Sequence, residues 1–465
     1  MHNLSMHRQA LSYLDLWFRR SNRKPLIIRG ARQVGKSTLV RLFSQNRKLA
    51  LIEVNLESIR LRSLESDHPS VEDVLAEIEG KMQIDISEKS ILFFDEIQQL
   101  PKLLPLLRYF YEERPDIPVV CAGSLLEFTL ESHKFSMPVG RIEYFHLSPM
   151  TFFEFLEGLN MGKLLNQLCK SQSILKPHEF ELLTKMLLTY FFVGGMPEAV
   201  KIYIETKDFK EVRNVHRSII QTYRDDFPRY STSSQLPRIE EIFQRLPQVL
   251  GQKVKYTEIS QDFQSRDIKK VLLLLKQARI LHFCYHTNAA ALPLSAQSDQ
   301  TVFKLYFLDV GLFNYMTGAS WDSIRQFNDS QLTTKGIIAE QFAAQHLAYL
   351  ENGLEEPQLF YWLRDKKNEN AEVDFVISHL DKITPIEIKS GQSGRLKSLV
   401  QFVEKNKTSI AFRFDLKDRS QDKTNVTEKV SHLLKSEKHG KDIKKDVKFV
   451  LNNWHLGLIE CLSQR

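Results

Sequence analysis

Cysteine is scarce: Cys121, Cys169, Cys284 and Cys461 are the four in 465 residues, far apart and never in a C-x-x-C pair. That spacing gives neither a zinc ribbon nor a disulfide framework, so reduced thiols are expected. Long hydrophobic runs are missing too. No stretch approaches the roughly 20 apolar residues of a membrane span, and the opening MHNLSMHRQALSYLDLWFRR has no apolar run of the signal-peptide kind. A cytoplasmic chain with no membrane partner is the expectation. Charge of one sign is only in slight excess, 64 Lys and Arg against 57 Asp and Glu for a net +7, which permits a polyanionic partner without requiring one. No internal repeat of fixed period is found.

What is present is a globular composition, 42% hydrophobic, 26% charged and 10% aromatic. The length exceeds one ordinary core, so an α/β multidomain chain of roughly three domains is expected from length alone. Over residues 1–160, Leu11, Leu14 and Phe18 fall at helical spacing and lead into the apolar run Leu26–Ile28. Two similar runs, Ile91–Phe94 and Val119–Ala122, alternate with helical stretches, which predicts a mostly parallel sheet with helices on both faces. Residues 161–235 have a helical texture broken at Gly194-Gly195-Met196-Pro197, read as a helical lid or connector. Residues 236–290 predict three helices and a strand, Ile280–His286, the order of a winged helix-turn-helix. A C-terminal α/β unit over 300–465 carries a charged insertion, 416–448. Between Lys417 and Lys448 it holds ten Lys/Arg against six Asp/Glu. A solvated loop is expected there, with a regulatory or DNA-tethering arm as the alternative.

The segment Gly30-Ala31-Arg32-Gln33-Val34-Gly35-Lys36-Ser37, followed by Thr38, fits G-x-x-x-x-G-K-[ST] and stands after a strand and before a helix, the context that makes it a phosphate-binding loop. Its glycines let backbone N–H groups face the phosphates of a nucleotide such as ATP. Lys36 would hold the β- and γ-phosphates, and Ser37 would offer its hydroxyl to Mg2+. ILFFDE, residues 91–96, places Asp95 at a strand end to hold the magnesium shell, and Glu96 beside it to polarise the attacking water. Ser124 ends the strand VVCAGS, where a small polar side chain reaches the γ-phosphate or water. Arg141 in PVGR is a candidate arginine finger, with a plain surface arginine as the alternative. Acting in trans, it would require a homo-oligomer.

In the 257–278 region Lys269, Lys270 and Lys276 lie on the second helix of the helix-turn-helix, open to a nucleic-acid role or a packing role. His282, Cys284 and His286 share one strand face but lack a fourth nearby ligand, so a metal site is not expected. Further on, Glu340 is predicted on a helix, Asp374 opens a strand 34 residues later, and Glu387 with Lys389 follows 13 residues after that on the next strand, both facing one way. Asp374 and Glu387 can jointly hold Mg2+ or Mn2+, with Glu340 reaching in. The ion would activate water and Lys389 would position it, the chemistry of phosphodiester hydrolysis.

GARQVGKST, ILFFDEIQ, CAGSLLEF, PVGRIEYFHLSPMTFFEFL and FVGGMPEAV, in that order, resemble a family of prokaryotic AAA+-type P-loop ATPases, close to the archaeal-ATPase branch of the AAA+/STAND groups, over roughly residues 5–415. The resemblance implies the roles given above for Lys36, Ser37, Asp95, Glu96 and Ser124. It also implies a C-terminal restriction-endonuclease-like domain of the PD-(D/E)XK type. The acids follow the GxxxE, D and ExK arrangement of Holliday-junction resolvases, and Gln401 resembles the helical glutamine of some such nucleases. An ATP-dependent protein acting on DNA is the leading expectation. The alternatives are a STAND-like switch with a protein partner, or a DNA-delivery helper that binds without cutting.

Overall fold

The structure is a computed structural model, described here for residues 7–66, 69–128, 140–165, 175–325, 332–351, 353–366, 369–390, 396–416, 429–435, 442–448 and 450–464. Helix α1 (Ala10–Arg19) buries Ala10, Leu14 and Trp17, one residue off the stripe expected from Phe18. Then follow β1 (Leu26–Arg29), α2 (Lys36–Arg47), β2 (Ala50–Asn55), α3 (Val71–Met82), β3 (Ser90–Asp95), α4 (Leu103–Glu113), β4 (Val119–Ala122) and β5 (Glu143–His146). The strands pair in the order β2-β3-β4-β1-β5, every neighbour parallel. A parallel sheet is covered on both faces, which explains why the three inner strands β1, β3 and β4 read as apolar runs, whereas the edge strands β2 and β5 are only partly buried. In β3, Ile91 and Phe93 pack with Leu14 of α1 and Leu39 of α2. Leu92 and Phe94 pack on the other side with Val74 of α3 and Leu107 of α4.

The helices that follow among the described residues are α5 (Phe152–Gly158), α6 (Pro177–Val193), α7 (Pro197–Thr206), α8 (Phe209–Tyr230), α9 (Leu236–Arg245) and α10 (Tyr256–Ile259). Thr151 and Glu154 form a reciprocal capping box that fixes the start of α5. Helix α11 (Ser265–Gln277) leads into the hairpin β6 (Leu281–Thr287) and β7 (Ser298–Phe307).

The break expected between residues 290 and 300 is bridged by that hairpin. β6 pairs antiparallel with β7 and parallel with β8 (Leu359–Lys366), and β8 pairs with β9 (Glu369–Val373), giving the sheet β7-β6-β8-β9. Between them run α12 (Val310–Met316), α13 (Trp321–Arg325) and α14 (Leu332–Leu347). A second sheet orders β10 (Phe375–His379), β11 (Lys382–Lys389), β12 (Ile410–Asp415) and β15 (Val450–His455), with α15 (Lys397–Asn406) between β11 and β12. In the charged insertion, β13 (Lys429–Lys435) and β14 (Asp442–Lys448) pair as an antiparallel hairpin, where a loop was expected. The remainder of the insertion and Phe449 lie outside the described residues.

The final 3-10 turn, Leu456–Gln464, folds back on the helices near residue 152: the Phe153 N–H donates to Glu460 Oε1 at 2.9 Å. Cys461 on this turn is disulfide-bonded, whereas Cys121 and Cys284 are free and buried. Cys461 departs from the expectation of reduced thiols, and Cys169 lies outside the described residues. No helix among the described residues is long and apolar enough to cross a membrane.

Candidate functional site

The loop between β1 and α2 is shaped by its glycines. Gly30 has φ 153° and a Cβ there would stand 2.5 Å from the Leu147 carbonyl oxygen, and Gly35 caps α2 in the left-handed region at φ 90°. Lys36, buried, donates from Nζ to the carbonyls of Gly30 and Ala31 at 3.1 and 2.8 Å. Burial lowers its ammonium to about 8, against the pull of Glu96 and Asp95. Ser37 donates to Asp95 Oδ2 at 2.6 Å, so the two groups expected to share a magnesium shell already touch. Burial pushes the Asp95 carboxyl up from its ordinary value. Glu96 sits at φ 53°, accepts from Gln98 Nε2, and lies 3.5 Å from the Ser124 hydroxyl. Glu96 and Ser124, at the ends of the paired strands β3 and β4, are therefore neighbours.

These groups face a cavity of about 590 Å³ whose wall includes Arg32, Gln33, Lys36, Thr38, Glu96 and Ser124. Arg141 lies outside that wall. Its Nε donates to Glu112 at 2.9 Å on the sheet edge, so within one chain it does not reach the phosphate loop. The far side of the cavity belongs to the helices after the sheet. Tyr223 on α8 donates to the Arg32 carbonyl at 3.0 Å, and Arg32 ion-pairs with Asp226, which also meets Arg229 at 3.4 Å. Arg8 donates to the carbonyls of Val34 and Ser148 at 3.0 and 2.8 Å and to Glu154 at 3.2 Å, tying the loop to the cap of α5. Sequence reasoning missed Arg8, Tyr223 and Asp226, since their partners are recognisable only once the helices are placed. Asp309 was also missed: fully buried, it accepts from the Gly195 N–H at 2.6 Å and holds the Gly-Gly break in place.

On α11, Arg266, Lys269 and Lys270 are exposed, whereas Lys276 is drawn over the Phe283 and Tyr285 rings at 5.4 and 5.3 Å. The expected basic face thus loses Lys276 and gains Arg266. His282 and Cys284 are buried, and the Leu363 N–H donates to His286 Nδ1 at 3.3 Å.

The C-terminal acids do come together, with additions. Glu387 and Lys389 share a face of β11 and contact each other, and Asp374, between β9 and β10, accepts from the Ile388 N–H at 2.7 Å. Glu340 on α14 accepts from the Tyr306 hydroxyl at 3.1 Å. Burial, with Asp374 alongside, pushes the Glu340 and Glu387 carboxyls up. In register with Glu387 and Lys389, β12 presents the buried pair Arg413 and Asp415. Gln401 on α15 is buried, and its Oε1 has no hydrogen-bond partner among the described residues. Lys304 on β7, unforeseen, contacts Glu372 and stands 3.6 Å from Glu340. Burial alone would lower its ammonium, but Glu340, Glu372 and Asp374 outweigh that and raise it. Carboxylate oxygens are the donors Mg2+ and Mn2+ take. In this arrangement, however, no three His, Cys, Asp or Glu among the described residues are placed to hold a metal ion.

Three family models match the chain: an AAA domain over residues 22–156, a domain of unknown function (DUF8612) over 184–323 and another (DUF4143) over 335–435. No curated protein matches. Solved structures that resemble it include the Aeropyrum pernix ORC1 protein in complex with DNA, at 13% identity and TM-score 0.27, covering 69% of this chain and 94% of that one. The Aeropyrum pernix ORC2 protein in ADPNP-ADP complexes is 14% identical with TM-score 0.32, covering 68% and 92%. The Thermotoga maritima RuvB Holliday junction branch migration motor is 15% identical with TM-score 0.29, covering 59% and 89%. Overlap this partial adds nothing to the geometry. The domain match and the loop agree: residues 22–156 form a P-loop ATPase core of the AAA type, a class that works on ATP with Mg2+.

Proposed function

We propose that this chain is an ATP-hydrolysing protein that acts on DNA, and that nucleotide turnover moves the helices after the sheet relative to a C-terminal nuclease-like unit. The observation that carries the ATPase half is the joint placement of Lys36, the Ser37–Asp95 contact and the Glu96–Ser124 pair around one cavity. Lys36 would leave the loop carbonyls for the β- and γ-phosphates, Ser37 and Asp95 would hold Mg2+, and Glu96 would orient water. The residues of the loop from Gly30 to Thr38 would line the phosphates. Arg141, remote in cis, would serve a second copy in a homo-oligomer.

The DNA half rests on α9, α10, α11 and the β6–β7 hairpin, read as a winged helix whose exposed Arg266, Lys269 and Lys270 would meet phosphates. Glu340, Asp374, Glu387 and Lys389 would be the nuclease-like group; a divalent ion bound there would activate water for phosphodiester cleavage. A second reading, binding without cutting, is favoured by Lys304, which already contacts the carboxylates.

Both readings are tested with labelled duplex and branched DNA in Mg2+ or Mn2+, comparing wild type with Asp374→Ala and with Lys269→Glu/Lys270→Glu. Binding that weakens in the double variant, by about tenfold or more at low salt, supports the DNA reading. Cleavage lost in Asp374→Ala assigns the nuclease. Binding unchanged by the charge reversal would remove the winged helix from the proposal.

A further inference from the structure

A lysine in the middle of the apolar strand Phe303–Phe307 is unusual, since lysine is rarely buried without partners. Lys304 is 3% exposed, with Phe303, Leu305, Tyr306 and Phe307 buried around it. Its backbone is fixed on both sides: it pairs with Cys284 on β6, and it bridges to Lys253 on the segment before α10. The Gly251 N–H donates to Leu305 and the Val254 N–H to Phe303, at 2.9 Å each. The side chain has little freedom in where it ends. Nζ contacts Glu372, stands 3.6 Å from Glu340, and lies 5.3 Å from the centre of the Tyr361 ring. Tyr306, two residues on and therefore on the same face, donates to the same Glu340 oxygen.

Across the cluster, the acids divide unevenly. Glu387 is 5% exposed and gives one oxygen to Lys389, while Oε2 has no hydrogen-bond partner among the described residues, a buried acceptor of the kind a cation satisfies. Glu340 and Glu372, by contrast, share the Lys304 ammonium. Hard divalent cations take several carboxylate or water oxygens at once. The carboxylates that would complete such a set with Asp374 and Glu387 are the ones Lys304 holds.

We infer that Lys304 is the built-in cation of the acidic site and competes with a divalent ion for Glu340 and Glu372. This rests on the reading of the acidic cluster as a Mg2+ or Mn2+ site. The wild-type chain then binds a divalent ion weakly there, and removing the ammonium strengthens binding, because the carboxylates are released and the cluster gains one net negative charge. The role is that of a positioning residue, since Lys304 acts through the carboxylates.

The test is Mn2+ binding by the full-length, nucleotide-free protein, read from the resonance of free Mn2+, with Lys36→Ala and Asp95→Asn present throughout to remove the ion site at the phosphate loop. Lys304→Gln and Lys304→Met are compared with Lys304→Arg, which keeps the charge. A second set adds Asp374→Ala to each. Tighter binding in Gln and Met by tenfold or more, unchanged binding in Arg, and loss of the gain with Asp374→Ala support the inference. Tight binding already present with Lys304 intact, lost with Asp374→Ala, would keep the metal site and overturn the competition. Weaker binding in folded Gln and Met chains would make Lys304 a support of the site rather than a competitor. No binding by any folded variant would overturn both this inference and the metal reading beneath it. Should Lys304→Met fail to fold, Lys304→Gln against Lys304→Arg carries the same comparison.

Discussion

The hydroxyl of Ser37 donates to Asp95 Oδ2 at 2.6 Å, joining the first turn of α2 to the end of β3 across the intervening strand β4. On the proposed reading, Mg2+ would take the place of this contact, with the hydroxyl and the carboxylate each ligating it directly or through water. Asp95→Asn keeps the size of the side chain but removes the charge. The Mg2+ concentration for half-maximal ATP turnover is expected to rise by about 10–100-fold, the usual cost of disturbing a metal's protein partners. An unchanged Mg2+ titration would separate Asp95 from the ion.

Helix α8 closes over the loop through Tyr223 and Asp226. Asp226→Asn removes the charge partner shared by Arg32 and Arg229. The expected result is a rise in the ATP KM on the order of tenfold, equivalent to about 1.4 kcal/mol, with kcat little altered. A fall in kcat at constant KM would place Asp226 in the chemical step instead.

Arg8 and Glu154 are 5% and 2% exposed, and the arginine is the common partner of Val34, Ser148 and Glu154. Arg8→Ala takes the charge partner from the buried Glu154 carboxylate, which keeps the Gln9 and Thr151 N–H donors, and removes the arginine's bonds to two carbonyls. A loss of about 3 kcal/mol of stability is expected, the cost of breaking a buried pair from one side. Denaturant melts of wild type and variant read it directly; coincident curves would show that water replaces the guanidinium at no cost.

Glu460 provides a pH dependence. Burial pushes its carboxyl from the ordinary 4.5 up to about 8. Between those values the unfolded chain has lost a proton the folded chain retains, so this group makes the protein less stable as pH rises through that window. Glu460→Gln can still accept from the Phe153 N–H and has nothing to titrate. Relative to wild type it is expected to gain stability, on the order of a few kcal/mol, between about pH 5 and pH 8.5. A stability difference that is the same at both pH values would contradict the buried, protonated state.

Strands β1, β3 and β4 were legible because each is a short apolar run with most residues buried, and the phosphate loop because its glycines and Lys36 have fixed spacing; β2, which alternates buried with partly exposed residues, and β5, which opens on the polar Glu143, were not. Glu340, Asp374 and Glu387 were legible by order, and the fold brings them to one cluster. The union of β6 and β7 with β8 and β9 was not, since pairing partners 75 residues apart, such as Cys284 and Leu359, leave no local mark. Lys304 had a faint signal, one charge in FKLYF, but only the placement of α14 and β9 shows what it meets. Arg141 looked equally suited to catalysis or to the surface, and its pairing with Glu112 settles its cis position alone.

The most direct measurement is steady-state ATP hydrolysis by wild type and Glu96→Gln, with and without duplex and branched DNA, alongside nucleotide binding by both proteins. Wild type is expected to hydrolyse ATP faster in the presence of DNA. Glu96→Gln is expected to bind nucleotide as wild type does and to turn it over about 10²–10⁴-fold more slowly. Turnover that is equal in the two proteins, or that no DNA alters, would contradict an ATPase whose cycle is coupled to DNA.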